Sequence, residues 1–299
     1  MAKTLYAQRY LLILSVPFVL WLLVFKYIPI WGWTMAFQDY KPHLGFFGQR
    51  WVGFQYFRDL FKAPLFYQAL QNTLGMGILG LVFGTVSALG FAVLLNELRF
   101  IHFKRFTQTV SYLPHFVSWV VTANIVTSLL SINGPLNEIF VSLKIINEPV
   151  NVMIKPEYFW WVVVISDMWK ETGWNAIIYL AAMTGIDSQV YEAAGIDGAN
   201  RIQKIWYITL PGISATIFIL LILNIGNLVN IGFEKQFLMG NAVTATKALV
   251  LDKYALDYGI GLFRYSFGTA IGIFKSVVSI ILLVLANYFI KKSGKGKLF

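Results

Sequence analysis

Cysteine is absent from the 299 residues, which excludes disulfide frameworks, cysteine zinc sites and thiol nucleophiles. Charge is scarce too: 13% of residues are Asp, Glu, Lys or Arg, where a soluble domain carries about a quarter. Histidine is nearly missing, and His43, His102 and His115 are scattered without metal-ligand spacing. The sequence holds no Walker A phosphate loop, no H-E-x-x-H pair and no G-x-S-x-G elbow. ATP hydrolysis, zinc proteolysis and serine hydrolysis therefore lack their usual machinery.

What remains is apolar. Hydrophobic residues make up 58% of the chain, more than a water-soluble fold of this length can cover, so a bilayer is the better solvent. The net charge of +10 does not point to nucleic acid, because the basic residues form no patch interleaved with exposed aromatics. Several instead sit at the ends of apolar runs, where Lys and Arg mark membrane boundaries. The ten Trp and fifteen Tyr fit interfacial belts as well as helix packing.

A spanning helix needs roughly 20 apolar residues, and six stretches qualify: 10–33, 68–95, 106–130, 158–183, 212–233 and 266–290. The expected fold is an all-α, polytopic membrane protein with six transmembrane helices and no soluble domain or long linker left over. The first stretch is too long for a cleaved signal peptide, and no small-residue cleavage site follows it. Pro17, Pro29 and Pro114 are expected to kink or end their helices. With the amino terminus inside, the cytoplasmic segments hold Lys3, Arg9, Arg99, Lys104, Arg105, Arg201, Lys204, Lys291, Lys292, Lys295 and Lys297. The outer segments hold nearly as many basic residues, Lys235 among them, but spread them over about 90 residues rather than about 55. Density thus favours both termini in the cytoplasm.

The most informative stretch joins the fourth and fifth predicted spans. It reads Glu192-Ala193-Ala194-Gly195-Ile196-Asp197-Gly198-Ala199, runs to Tyr207, and ends Ile208-Thr209-Leu210-Pro211. The pattern predicts a short helix near 188–200, with Ser188 as its cap and Glu192 near its positive end. Gly195 and Gly198 permit a turn or the close approach of another surface. Pro211 suits the first turn of the next span. A short, small-residue helix facing the cytosol implies a docking partner.

This run resembles the EAA motif of binding-protein-dependent ABC importer permeases: Glu-Ala-Ala, a glycine at fixed distance, then Ile-x-Leu-Pro. Ala215 stands where many members have a second proline. Phe25-Lys26-Tyr27-Ile28-Pro29, Val52-Gly53-Phe54-Gln55-Tyr56-Phe57, Leu94-Leu95-Asn96-Glu97, Tyr112-Leu113-Pro114-His115-Phe116-Val117-Ser118-Trp119 and Tyr179-Leu180-Ala181-Ala182 extend the likeness over nearly the whole chain. They are similar to the LplB/YteP-type carbohydrate permeases and to the first permease of maltose-type systems. The resemblance implies that residues 1–299 form a single type I ABC importer transmembrane domain in a bacterial cytoplasmic membrane. It implies a coupling loop at about 188–211, in which Glu192, Ala193, Ala194, Gly195, Asp197, Gly198 and Pro211 meet an ATPase. It further implies a second, homologous permease, two ATPase subunits that bind ATP and Mg, and an extracytoplasmic solute-binding protein. This chain would carry no cofactor. The cargo would be an oligosaccharide, with acidic alginate- or pectin-type chains among the family's substrates.

Ionisable residues within spans are costly and face cavities or partners. Asp167, Lys170, Glu171 and Trp174 fall on one helix face, with Asp167 roughly 14 Å deep at 1.5 Å per residue. Lys275 lies at similar depth, and Asn224, Asn227 and Asn230 form a stripe on the fifth predicted span. These eight are the expected substrate pathway: amides for hydroxyl groups, a Trp face for sugar rings, and Lys275 for any carboxylate. The alternative for the charged trio is mutual neutralisation that only locks helices. Lys26 is expected to snorkel outward. Gly75-Met76-Gly77-Ile78-Leu79-Gly80 spells a dinucleotide fingerprint, but it lies inside an apolar span with no preceding strand. Close helix packing is the expected role of these glycines and of Gly80/Gly84 and Gly268/Gly272. An ion-coupled sugar transporter would show repeated halves, and an intramembrane enzyme a catalytic motif. Neither accounts for residues 192–211.

Overall fold

The computed structural model describes residues 9–45 and 47–292, and its long elements are all helices. Lys3, Lys295 and Lys297, used above to orient the chain, lie outside the described residues. Among the described residues three helices are long and apolar enough to cross a membrane: Arg9–Phe37, Pro64–Glu97 and Tyr265–Lys292. A fourth is reached if Arg201–Gly212 and Ser214–Gly226, bent by 61°, count as one span.

The departures from six even spans have local causes. Pro17 lies inside Arg9–Leu22 without ending it. Pro29 has no amide hydrogen to donate, and around it the first span changes to a π turn at Leu23–Tyr27 and a tighter 3-10 run at Ile28–Phe37. The third predicted span is broken. Helix Ile101–Tyr112 gives way at Pro114 to a 3-10 turn, Leu113–Phe116, and a new helix starts at Trp119–Leu129. Ser118 restarts it by accepting a hydrogen bond from the Val121 amide at 3.3 Å, as an N-cap does. Helix Phe159–Thr184 is continuous over 26 residues, about 39 Å at 1.5 Å per residue, but it carries the predicted charges. The fifth predicted span stops at Gly226, not near 233. Asn227 leaves helical geometry there at φ −94°, ψ 5°, and asparagine tolerates such exits.

The chain divides into two compact units. One holds the described residues up to Ala63 together with Tyr254–Phe274. In it the two-residue strands Gln38–Asp39 and Arg50–Trp51 pair antiparallel. Ser266 ties down the first strand, donating to the Gln38 carbonyl at 2.6 Å and accepting from the Tyr40 amide at 3.0 Å. Burial and the adjacent Asp39 carboxylate push the Tyr56 hydroxyl above its ordinary range, so it stays protonated and donates to Asp39 at 3.0 Å. Gly259 and Gly268 meet closely enough that a Cβ on either would lie 2.8 Å from the other's Cα, the tight packing predicted for Gly268.

The other unit holds Pro64–Lys253 and the described residues from Lys275 onward. Helices 64–97 and 159–184 pack along each other, with Ala88, Ala92 and Ala176 buried between bulkier Tyr179, Met183 and Ile213. Small residues let such backbones approach. A second core gathers Met76, Ala123, Phe159, Val162, Met239 and Val250. The chain after Gly226 is fastened back onto helix 64–97: Asn72 donates to the carbonyls of Thr246 (2.7 Å) and Leu249 (2.8 Å), and the Leu251 amide donates to the Thr73 hydroxyl at 2.8 Å. Those bonds fix the return segment that completes the site.

Candidate functional site

Within this second unit, helices 64–97, 159–184, Ser214–Gly226 and Glu234–Met239 surround a cavity of about 340 Å³. Asp167, Glu171, Asn224, Asn227 and Asn230 line it. Lys170, Trp174 and Lys275 do not. The asparagines do not form a stripe on one helix as predicted, because Asn227 caps the helix end and Asn230 lies beyond it. They reach the same wall because the chain turns there: the Asn227 amide donates to the Asn224 carbonyl at 3.1 Å, and the Asn230 amide to the Asn227 carbonyl at 2.8 Å. Gly80 and Gly84 also line the chamber, and a Cβ on either would meet nothing within 4 Å. Their predicted close-packing role is therefore corrected: they leave room. Gly75 and Gly77 do pack tightly, against the Trp160 ring and the Leu228 carbonyl.

The charges are paired both within helix 159–184 and from it to other segments. Asp167 meets Lys235 at 2.7 Å, while Lys170 meets Glu171 at 3.5 Å. Glu171 also meets the His115 Nδ1 at 2.8 Å, and the His115 ring stacks on Trp174 with centroids 4.3 Å apart. Lys170 is buried and donates to the carbonyls of His115 and Pro114. Those are carbonyls at the break in the third predicted span, so Lys170 supports that break. Lys275, also buried, pairs with Asp252, which additionally accepts from the Gly232 amide at 3.1 Å. The expectation that Lys275 faces the pathway is thus corrected; its ammonium is held by a carboxylate on the return segment.

Several lining residues escaped sequence reasoning. Asn175 continues the Asp167–Glu171 stripe by one more turn, a helical spacing legible in principle. Lys235 and Gln236 sit in what reads as an outer loop, and nothing periodic marks their return to this layer. Gln236 is fully buried with its side-chain oxygen unpartnered, and the buried Thr85 hydroxyl lacks a partner as well. Both line the chamber. Buried polar groups without partners are costly, so these two suit a polar ligand or ordered water.

The second candidate region is the loop around Glu192. Its helix is Ser188–Ile196, and its cap is Asp187, not Ser188: the Asp187 carboxylate accepts from the Gln189 amide at 2.9 Å. Glu192 consequently sits mid-helix, exposed, rather than in the positive first turn. The helix closes by donation from the Gly198 amide to the Gly195 carbonyl (3.2 Å) and from the Ala199 amide to the Ala194 carbonyl (2.8 Å). That double closure needs a left-handed residue at its pivot, and Gly198 supplies it at φ +80°. The spacing from Glu192 to Gly198 is thus the length of a helix end. Asn200 and Gln203 then form a reciprocal capping box, at 2.9 and 2.7 Å, that starts Arg201–Lys204. Tyr191 joins the two helices, its hydroxyl 2.9 Å from the Thr209 hydroxyl and its carbonyl accepting from Lys204 at 3.1 Å. Pro211 lies in Leu210–Gly212, just before the 61° bend.

Known proteins resemble the chain over nearly its whole length. The sequence model of the family described as "Binding-protein-dependent transport system inner membrane component" matches residues 80–295. Protein LplB of Bacillus subtilis is 43% identical, over 98% of this chain and 92% of the relative. The polygalacturonan/rhamnogalacturonan transport system permease protein YteP of the same organism is 42% identical, over 98% and 91%. Among solved structures, a chain of a bacterial alginate ABC transporter, in complex with an alginate pentasaccharide-bound periplasmic protein, superposes with a TM-score of 0.89. It is 33% identical, with 99% of both chains covered.

Proposed function

We propose, from the premise that this chain belongs to the inner membrane components of binding-protein-dependent transport systems, that it passes acidic oligosaccharides from a solute-binding protein to the cytoplasm. The chain is a multi-pass permease subunit of an ABC importer for carbohydrate, and it is not itself a catalyst. In our reading residues 1–299 form one permease domain of six membrane passes, with the broken helix 101–129, the charged helix 159–184 and the bent pair 201–226 as three of them. Both termini face the cytoplasm. A homologous second permease completes the path, and two ATPase subunits bind ATP and Mg. The substrate class rests on the relatives that handle rhamnogalacturonan and alginate.

The observation that carries this reading is the chamber. Amides and hydroxyls from four helices converge on about 340 Å³, at a level where apolar side chains would satisfy the membrane better. Asn224, Asn227, Asn230 and Asn175 offer paired donors and acceptors, the groups that exchange hydrogen bonds with sugar hydroxyls. Asp167 and Glu171 border the path. Lys170, Trp174 and Lys275 support it from outside: the first two hold the broken helix, the last holds the return segment.

Energy would enter through the loop 188–211. Glu192, Ala193, Gly195, Asp197 and Gly198 are exposed, and Ile196, Ile202, Trp206 and Tyr207 present apolar surface to solvent, Ile196 being 88% exposed. Ala194 lines a shallow hollow with Asp197 and Gly198. A groove of the ATPase would cover this surface, with Glu192 meeting a basic side chain. Pro211 leads the motion into the bend of the next helix. The test is sugar-stimulated ATPase activity of the reconstituted complex. Gly198→Val forces a β-branched residue into left-handed geometry, and Glu192→Lys reverses the charge. Each is expected to abolish stimulation while the complex still contains the folded chain. Wild-type stimulation in both variants would refute the coupling role.

A further inference from the structure

We propose that Lys235 is the residue by which this permease selects carboxylate-bearing sugars; the proposal rests on the oligosaccharide reading above and names the group that sets its charge preference. Among the described residues lining the chamber, Asp167, Glu171 and Lys235 carry formal charge. Glu171 is already answered from outside the cavity, by Lys170 and His115. Lys235 is therefore the one cation among them that the chamber presents to cargo.

Its geometry suits a second anion. An ammonium has three N–H donors; Asp167 takes one at 2.7 Å, and the Trp119 ring lies 5.3 Å from the nitrogen. A substrate carboxylate can take one of the other N–H donors, and it then shares the ammonium's charge with Asp167. The Lys235 side chain is 16% exposed against 32% for Asp167, so the cation is the more sheltered partner. Charge-assisted hydrogen bonds in such surroundings are short and strong, whereas a carboxylate with no cation at this depth is strongly disfavoured. The next residue, Gln236, offers an unpartnered buried oxygen, and Thr85 a hydroxyl, on the same chamber wall. A uronate ring could place its carboxylate on Lys235 and its hydroxyls on these two. Asp167 then acts as an internal competitor, keeping the ammonium paired when no cargo is present.

The experiment uses the complete transporter in liposomes with its binding protein. The probes are uronate trisaccharides and the same trisaccharides with carboxyls reduced to alcohols. The readout is the ratio of kcat/KM for the two sugars. Lys235→Met is expected to lower the preference for the acidic sugar at least about tenfold, the worth of one charged hydrogen bond, and Lys235→Arg to retain most of it. Asp167→Asn removes the competitor and should raise the preference about threefold, roughly half of a tenfold step in free energy; misfolding cannot mimic this gain. An unchanged ratio in Lys235→Met, or no gain in Asp167→Asn, overturns the proposal. Gly80→Trp tests the underlying chamber reading separately, since a Cβ there meets open space. It should block both sugars equally, and undiminished uptake of both would overturn the chamber as the path.

Discussion

The chamber and the loop 188–211 break the usual rule of burial in opposite directions. The chamber gathers carboxylates, one ammonium group and amides among apolar helices, and in and around it the charged side chains Asp167, Lys170, Glu171, Lys235 and Lys275 all have counter-ions. The loop exposes Ile202, Trp206 and Tyr207 by 64–79% of their surface, and its polar groups serve mainly as caps. A polar group in hydrocarbon and an apolar patch in water are each unfavourable alone. Under the proposed function, the first awaits cargo and the second another subunit. The difference lies in rigidity. The chamber is closed by ion pairs between distant segments, whereas the loop is held by short-range hydrogen bonds within about 25 residues of sequence, as its caps require.

That contrast can be broken at several points. The largest effect is expected from Lys275→Met, which strands Asp252 beside a buried position; removing one member of such a pair costs about 3–5 kcal/mol. Thermal unfolding of the detergent-purified complex should show a large fall, and adding Asp252→Asn should recover part of it. An equally stable single variant would mean that the pair contributes nothing. On the loop the opposite is expected. Ile196→Asp changes a residue 88% exposed, so chain stability should move by less than about 0.5 kcal/mol. Retention of the ATPase on purification should nevertheless fall sharply, and undiminished retention would place the contact elsewhere. The smallest effect is expected at the join between the two loop helices. Tyr191→Phe loses one hydroxyl hydrogen bond, about 1 kcal/mol, and should speed amide exchange across Ser188–Ile196 about fivefold. Thr209→Val should do the same, and the pair should not add.

Much of the helical order was legible because apolar length is a local signal. Helices 64–97 and 265–292 follow directly from it, whereas the position of the loop helix was legible from its alanines, glycines and a capping residue. The interruptions were only half legible. Pro114 announces a break, but its repair by Lys170 depends on a helix more than fifty residues away. Asn224, Asn227 and Asn230 were found by residue type, although the helix they seemed to share ends between the first and second. Lys235 and Gln236 were not found as chamber residues, because the six-residue helix that holds them is too short to show a period, and the tethers of the segment that follows, Asn72 and Thr73, sit on another helix. Glycines proved ambiguous for a related reason: Gly77 and Gly80 look alike in sequence, yet one abuts a carbonyl and the other opens a cavity.

The break at Pro114 has a consequence for how the membrane stays sealed. A severed helix in hydrocarbon exposes carbonyls that would draw water toward them. Here an amine from the neighbouring helix donates to two of those carbonyls, so this part of the backbone carries its own solvation. The kink can then persist whether the passage is occupied or empty, without a file of water to stabilise it. On the proposed six-pass reading, a break solvated by protein in this way gives protons and small ions no water-lined leak between transport cycles.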